Sequence, residues 1–154
     1  MEKVTRTKIN EAGVEVFSTM YFMPIQLLAE LPAEDVWRLD STYITAEIRY
    51  SGMLHAAVTF YFPARMVTSI VENFLGVDPD EITEQQMLDT MKEAANMVIG
   101  CFLGKADPEG ATKLGIPKAS LLQDFSPANI GADAEILVFT SEYGFLWMSY
   151  VEHG

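Results

Sequence analysis

Apolar residues near the start of the chain recur at helical spacing. Ile9, Val14, Val16, Phe17, Met20 and Tyr21 include i, i+3 and i+4 neighbours, with Glu11, Glu15 and Ser18 on the polar side. This predicts a helix over about 8–22, ended by Pro24, then a short strand at 25–31 and a loop at 32–35. The period then changes to two. Ile44, Ala46, Ile48 and Tyr50 share one face of a strand, and Leu54, Ala56, Val58, Phe60 and Phe62 share one face of the next. Matching the faces pairs Tyr50 with Leu54 and Ile48 with Ala56, leaving Ser51-Gly52-Met53 as the hairpin loop.

Pro63 suits the first position of a helix running to about Leu75 and closed by Gly76. Thr83 and Gln86 form a capping-box pattern ahead of another helix, which reaches about Leu103 before 104–110 breaks it. Extended segments follow near 114–122, 134–141 and 144–151, the last two joined by a turn at 141–144. The unbroken apolar runs 136–139 and 145–148 predict strands covered on both faces or central in the sheet. The order of helix, strands, two helices and strands makes an α+β plan. It has a mainly antiparallel sheet with two consecutive central helices packed on it, in a single domain over 1–154.

Charge and composition narrow the function. Asp plus Glu number 22 against 10 Lys plus Arg, a net charge of −12, which argues against binding a phosphate backbone. Cys101 is the single cysteine and is read as packed rather than nucleophilic. His55 and His153 lack zinc-ligand spacing, and His55 is read on the outward strand face opposite Arg49. No metal site of its own is expected. The most apolar early stretch, 14–31, is interrupted by Glu15, Ser18, Pro24, Gln26 and Glu30, too polar to span a bilayer. No apolar signal core opens the chain, so a cytoplasmic protein without membrane partners is expected. A Gly-rich phosphate loop is also missing.

The informative stretch lies in the second of the two central helices. At about 100° per residue, Asp89, Glu93, Asn96 and Gly100 fall within roughly 60° of one another. Met87, Met91, Ala94, Ala95, Val98 and Phe102 take the opposite, buried side. Glu93 and Asn96 lie side by side, and Gly100 leaves a notch next to them. Spacing alone favours an ordinary solvated face, because carboxylates and amides are common surface residues.

Asp89-x3-Glu93-x2-Asn96, continuing to Gly100, resembles the D/S-x3-E-x2-N signature of the CheC/CheX/FliY chemotaxis phosphatase family. Phe17-Ser18-Thr19-Met20, the Ser-Gly hairpin, Phe74-Leu75-Gly76 and Gly115-Ile116-Pro117 extend the likeness over about residues 8–151. Some members carry two such stripes. Here Glu11-x3-Glu15-x2-Ser18 is a degenerate copy in which a short hydroxyl replaces the amide, so it is read as silent. One active stripe is closest to the CheX type.

The resemblance implies hydrolysis of the aspartyl phosphate on a CheY-type response-regulator receiver. An acyl phosphate has a good leaving group, so catalysis mainly requires a water placed in line. Asn96 would orient that water, and Glu93 would dock the receiver's active-site lysine. Asp89 is expected either to support the helix or to make rim contacts with the partner, and Gly100 to let the partner approach closely. No cofactor of its own is implied, with Mg2+ expected on the phosphorylated receiver. The resemblance also implies a homodimer, through sheet pairing. The alternative reading is a catalytically idle receiver-binding or adaptor module of the same fold. A third is a structural domain within a larger sensory assembly.

Overall fold

The computed structural model describes residues 1–153. Helix α1 spans Lys3–Met20 and is followed by β1 (Gln26–Leu27) and the short α2 (Glu34–Trp37). Strands β2 (Tyr43–Ser51) and β3 (Ala56–Pro63) lead to α3 (Ala64–Leu75) and the long α4 (Glu84–Ala106). Strands β4 (Lys113–Leu114), β5 (Lys118–Leu122), β6 (Glu135–Ser141) and β7 (Gly144–Glu152) complete the chain. They form one antiparallel sheet in the order β1-β6-β7-β3-β2, with β4 and β5 sharing the outer edge of β2. The α+β plan holds.

Helices α1, α3 and α4 pack over one sheet face through a continuous apolar core. Ile9, Ala12, Val16 and Phe17 come from α1, and Met66, Val67, Ile70 and Val71 from α3. Met91, Ala94, Ala95, Val98 and Phe102 come from α4, the side that helical spacing assigns to the interior. Both hairpin strands bury the alternating sets expected of them, apart from half-buried Leu54. The opposite sheet face carries a second cluster of Tyr43, Phe125, Ile130, Val138 and Trp147. Strands β6 and β7 therefore are covered on both faces, as their unbroken apolar runs predict.

Several boundaries move. The hairpin register pairs Tyr50 with Ala56 and Ile48 with Val58, two residues away from the expected match. A slip of two keeps the same side chains on the same face, so alternation cannot distinguish the two registers. The loop lengthens because it docks on the segment before β4. Leu54 N–H donates to Thr112 Oγ1 at 3.1 Å, and Gly52 (φ +138°) lies so close to Ala111 O that a Cβ would sit 2.3 Å away. His55 consequently leaves the strand, and Ala57 stands opposite Arg49. The His55 ring instead stands 5.2 Å from that of His153, centroid to centroid.

Pro63 ends β3 and occupies the N-cap of α3 rather than its first turn, while Gly76 closes that helix in the left-handed conformation (φ +65°). Helix α4 passes Gly104 and stops at Asp107, the residue before Pro108. Buried Asp107 ties that corner down by accepting the Thr112 N–H at 2.6 Å. The segment 32–35 contributes to α2 instead of forming only a loop, and Gly115-Ile116-Pro117 splits the expected 114–122 strand into β4 and β5.

Candidate functional site

The stripe is built on α4, and its first turn is fixed locally. Thr83 Oγ1 accepts the Gln86 N–H at 3.1 Å, while Gln86 Oε1 accepts the Thr83 N–H at 2.9 Å. The buried side of α4 then sets the rotation of the helix, which turns Asp89 and Glu93 to solvent and leaves Asn96 and Gly100 half-buried.

The two carboxylates differ in what they already hold. Asp89 Oδ1 accepts from Gln85 Nε2 at 2.8 Å and pairs with Lys92 Nζ at 3.1 Å. The Gln85 hydrogen bond, and then Lys92, hold its carboxyl below the usual carboxylate range. Glu93 forms no such bond. Among the described residues, neither Glu93 nor Asn96 has a side-chain hydrogen bond or ion pair within the chain. An exposed carboxylate with its acceptor sites open stands beside a carboxamide one helical turn away, so both can address an incoming molecule. Gly100 adds little bulk: a Cβ there would meet only Leu114 Cδ1, at 3.8 Å.

The degenerate stripe on α1 is occupied differently. Glu15 Oε2 accepts from the Cys101 thiol at 3.4 Å and lies 3.6 Å from Lys105 Nζ. Burial, and then Glu15, push the Cys101 thiol up, which keeps it protonated and un-nucleophilic. Ser18 is exposed and has no carboxamide to offer. The two histidines, paired at the far end of the hairpin, do not join the stripe.

Packing adds residues that helical spacing does not reveal. A groove of about 340 Å³ is lined by Asp89, Glu93, Gln86 and Thr90 of α4, Tyr21 beyond α1, and Phe74 and Leu75 of α3. The Tyr21 ring stands 5.7 Å from that of Phe74, and its hydroxyl donates to Met97 Sδ at 3.8 Å. Burial, and then Glu93, push the Tyr21 hydroxyl up to about 12, so it remains a donor throughout the neutral range. Nothing in the sequence joins Tyr21 to Phe74. The ends of their two helices are brought together only by packing on a common core.

Comparison with known proteins gives this arrangement a family. The family model "Chemotaxis phosphatase CheX" matches residues 44–139, more than half of the chain and all of α4. The chain belongs to the CheX family. No curated protein matches the sequence. Solved structures share the CheX-family fold at low identity. A CheC-like superfamily protein from Shewanella sp. PV-4 is 20% identical, with a TM-score of 0.78 and 100% of both chains covered. The chemotaxis protein CheX from Desulfovibrio desulfuricans is 15% identical, with a TM-score of 0.76, covering 97% of this chain and 99% of its own. A chain in the CheX–CheY–BeF3–Mg2+ complex from Borrelia burgdorferi is 11% identical, with a TM-score of 0.71, covering 97% of this CheX-family chain and 98% of its own.

Two further observations bear on what the CheX-family chain carries. Among the described residues, no group of three or more His, Cys, Asp or Glu side chains is placed to hold a metal ion. No helix among them is long and apolar enough to cross a membrane.

Proposed function

We propose that this CheX-family chain hydrolyses the aspartyl phosphate of a CheY-type receiver, using the exposed stripe of α4. The observation that carries the reading is the open Glu93–Asn96 pair, beside an Asp89 already paired with Lys92. Membership of a chemotaxis phosphatase family supports it, as does the fold shared with a chain of the CheX–CheY complex. Glu93 pairs with the receiver's active-site lysine, and this charge-assisted contact fixes the helix over the phosphoryl group. Asn96 accepts a hydrogen bond from water through Oδ1, holding it in line with phosphorus while the aspartate leaves. The water's oxygen forms the new P–O bond, the P–O bond to aspartate breaks, and inorganic phosphate departs. Mg2+ on the receiver shields the phosphoryl oxygens.

Asp89 contributes at the rim by keeping Lys92 drawn back along the helix, away from the cation that Glu93 must attract. Gly100 lets the receiver approach the helix backbone. The Gly100→Ala chain is expected to gain about 1 kcal/mol in urea denaturation, because alanine favours a helix and finds only ordinary contact there. Phosphate release is expected to slow in the same variant; unchanged release would remove Gly100 from the partner surface. A homodimer through a sheet edge is also proposed, with β5 bonded only to β2 among the described residues. The cytoplasm, where phosphorylated receivers are made, is the proposed location.

The test is phosphate release from phosphorylated CheY-type receivers of the source genome, with and without the protein. Acceleration above a receiver's own decay is expected. Equal rates for every receiver would sink the hydrolysis, and binding without acceleration would identify the idle adaptor.

A further inference from the structure

The groove beside Glu93 continues into an apolar shelf that the reaction chemistry does not use. Met20 ends α1 and Phe22 lies two residues beyond it, Phe74 and Leu75 end α3, and all four are exposed large apolar residues. A second recess of about 180 Å³, lined by Met20, Tyr21, Phe22, Ile70, Asn73 and Phe74, adjoins the first through Tyr21 and Phe74. Water-facing apolar groups gathered at one spot, rimmed by a carboxylate, mark an interaction surface.

Phe22 is the most informative of them. It has φ +52° and is 84% exposed. The conformation itself has a local cause, because Met23 N–H reaches back to Phe17 O at 2.9 Å and closes the end of α1. Glycine adopts this left-handed cap without a side-chain penalty, and asparagine nearly so. A phenylalanine there accepts the penalty and then holds its ring in water, where the fold gains almost nothing from it.

We propose that Phe22, Phe74 and Leu75 form a specificity shelf, on which the receiver seats an apolar side chain neighbouring its active-site lysine. This rests on the receiver-phosphatase reading above and goes further by assigning partner selection to the ends of α1 and α3. Continuity selects the occupant: the same groove contains Glu93, so a molecule whose cation meets Glu93 must also cover Phe74 and Leu75. Charge selects it too. Asp89 is paired with Lys92, whereas Glu93 has no ion-pair partner among the described residues, so the groove calls for one cation beside apolar surface. Receivers bearing a charged or bulky polar residue beside the lysine would leave the shelf wet and bind weakly.

Phe22→Gly and Phe74→Ser in the full chain separate this shelf from the chemistry. Binding is read with BeF3−/Mg2+-loaded receivers of the source genome, and turnover with the phosphorylated forms. Each variant is expected to raise Kd and KM about tenfold, with the loss falling far less on kcat. Phe22→Gly should not lower Tm, because glycine suits the cap. Unchanged Kd in both variants, with wild-type hydrolysis intact, overturns the shelf and leaves the phosphatase reading standing. Raised Kd without hydrolysis of any receiver supports the shelf and overturns the phosphatase. Altered self-association in sedimentation, with unchanged Kd, assigns the shelf to a second copy and overturns its role in receiver selection. A wild-type chain that binds no receiver overturns both.

Discussion

Asn96→Ala is expected to slow receiver dephosphorylation about 100-fold, or down to the receiver's own decay, while binding stays near the wild-type level. In the proposed mechanism the Asn96 amide holds the attacking water. An aspartyl phosphate needs little help in releasing its leaving group, so most of the available acceleration lies in fixing the attacking water. Alanine removes the acceptor proposed to hold the water and leaves a hole that a mobile solvent molecule can enter. Glu93 and the apolar groove remain, so docking survives. The fold should survive too, because Asn96 is half-buried and, among the described residues, makes no side-chain hydrogen bond. Stopped-flow phosphate release and a BeF3−/Mg2+ binding titration check the two halves of the expectation. Loss of binding in parallel with rate would make Asn96 a docking residue and remove the water-positioning role.

Trp147→Ala is expected to destabilise the protein by about 3–5 kcal/mol, the range for removing a buried large aromatic. Trp147 is 0% exposed, with its ring 5.5 Å from Phe125 and edge-on to Trp37 at 6.4 Å. The loss would be a large share of a total stability of about 5–15 kcal/mol, lowering Tm by roughly 10 °C. Urea denaturation followed by circular dichroism measures it. Trp147→Phe should cost much less. Among the described residues, neither the buried indole N–H nor the buried Tyr43 hydroxyl has a hydrogen-bond partner, so phenylalanine removes an unsatisfied donor along with some volume. Equal losses for the two substitutions would contradict this division between packing and polarity.

The sequence makes some of this architecture legible and leaves other parts hidden, for identifiable reasons. The Asp89–Glu93–Asn96 stripe follows from helical rotation alone, since Met91, Ala94, Val98 and Phe102 determine which side faces inward. The hairpin faces are equally plain, but alternation has a period of two and cannot detect a register shift of two. Deciding it takes the contact of Gly52 and Leu54 with 111–112, some 60 residues away. Helix α1 extends back to Lys3, although residues 3–8 carry no buried side chain and little apolar periodicity for spacing to detect. The groove is the least legible feature. It combines the last turn of α3 with the end of α1, and no local spacing reports the approach of Tyr21 to Phe74.

The sheet also divides the chain optically. Both tryptophans of the chain, Trp37 of α2 and Trp147 of β7, lie in contact on the face opposite α1, α3 and α4. Their emission is therefore a built-in gauge of whether the back layer is intact, separated by the sheet from any molecule seated on α4. A receiver without tryptophan could be titrated onto the helical face with little change in that signal, whereas loss of the fold would shift it toward the red.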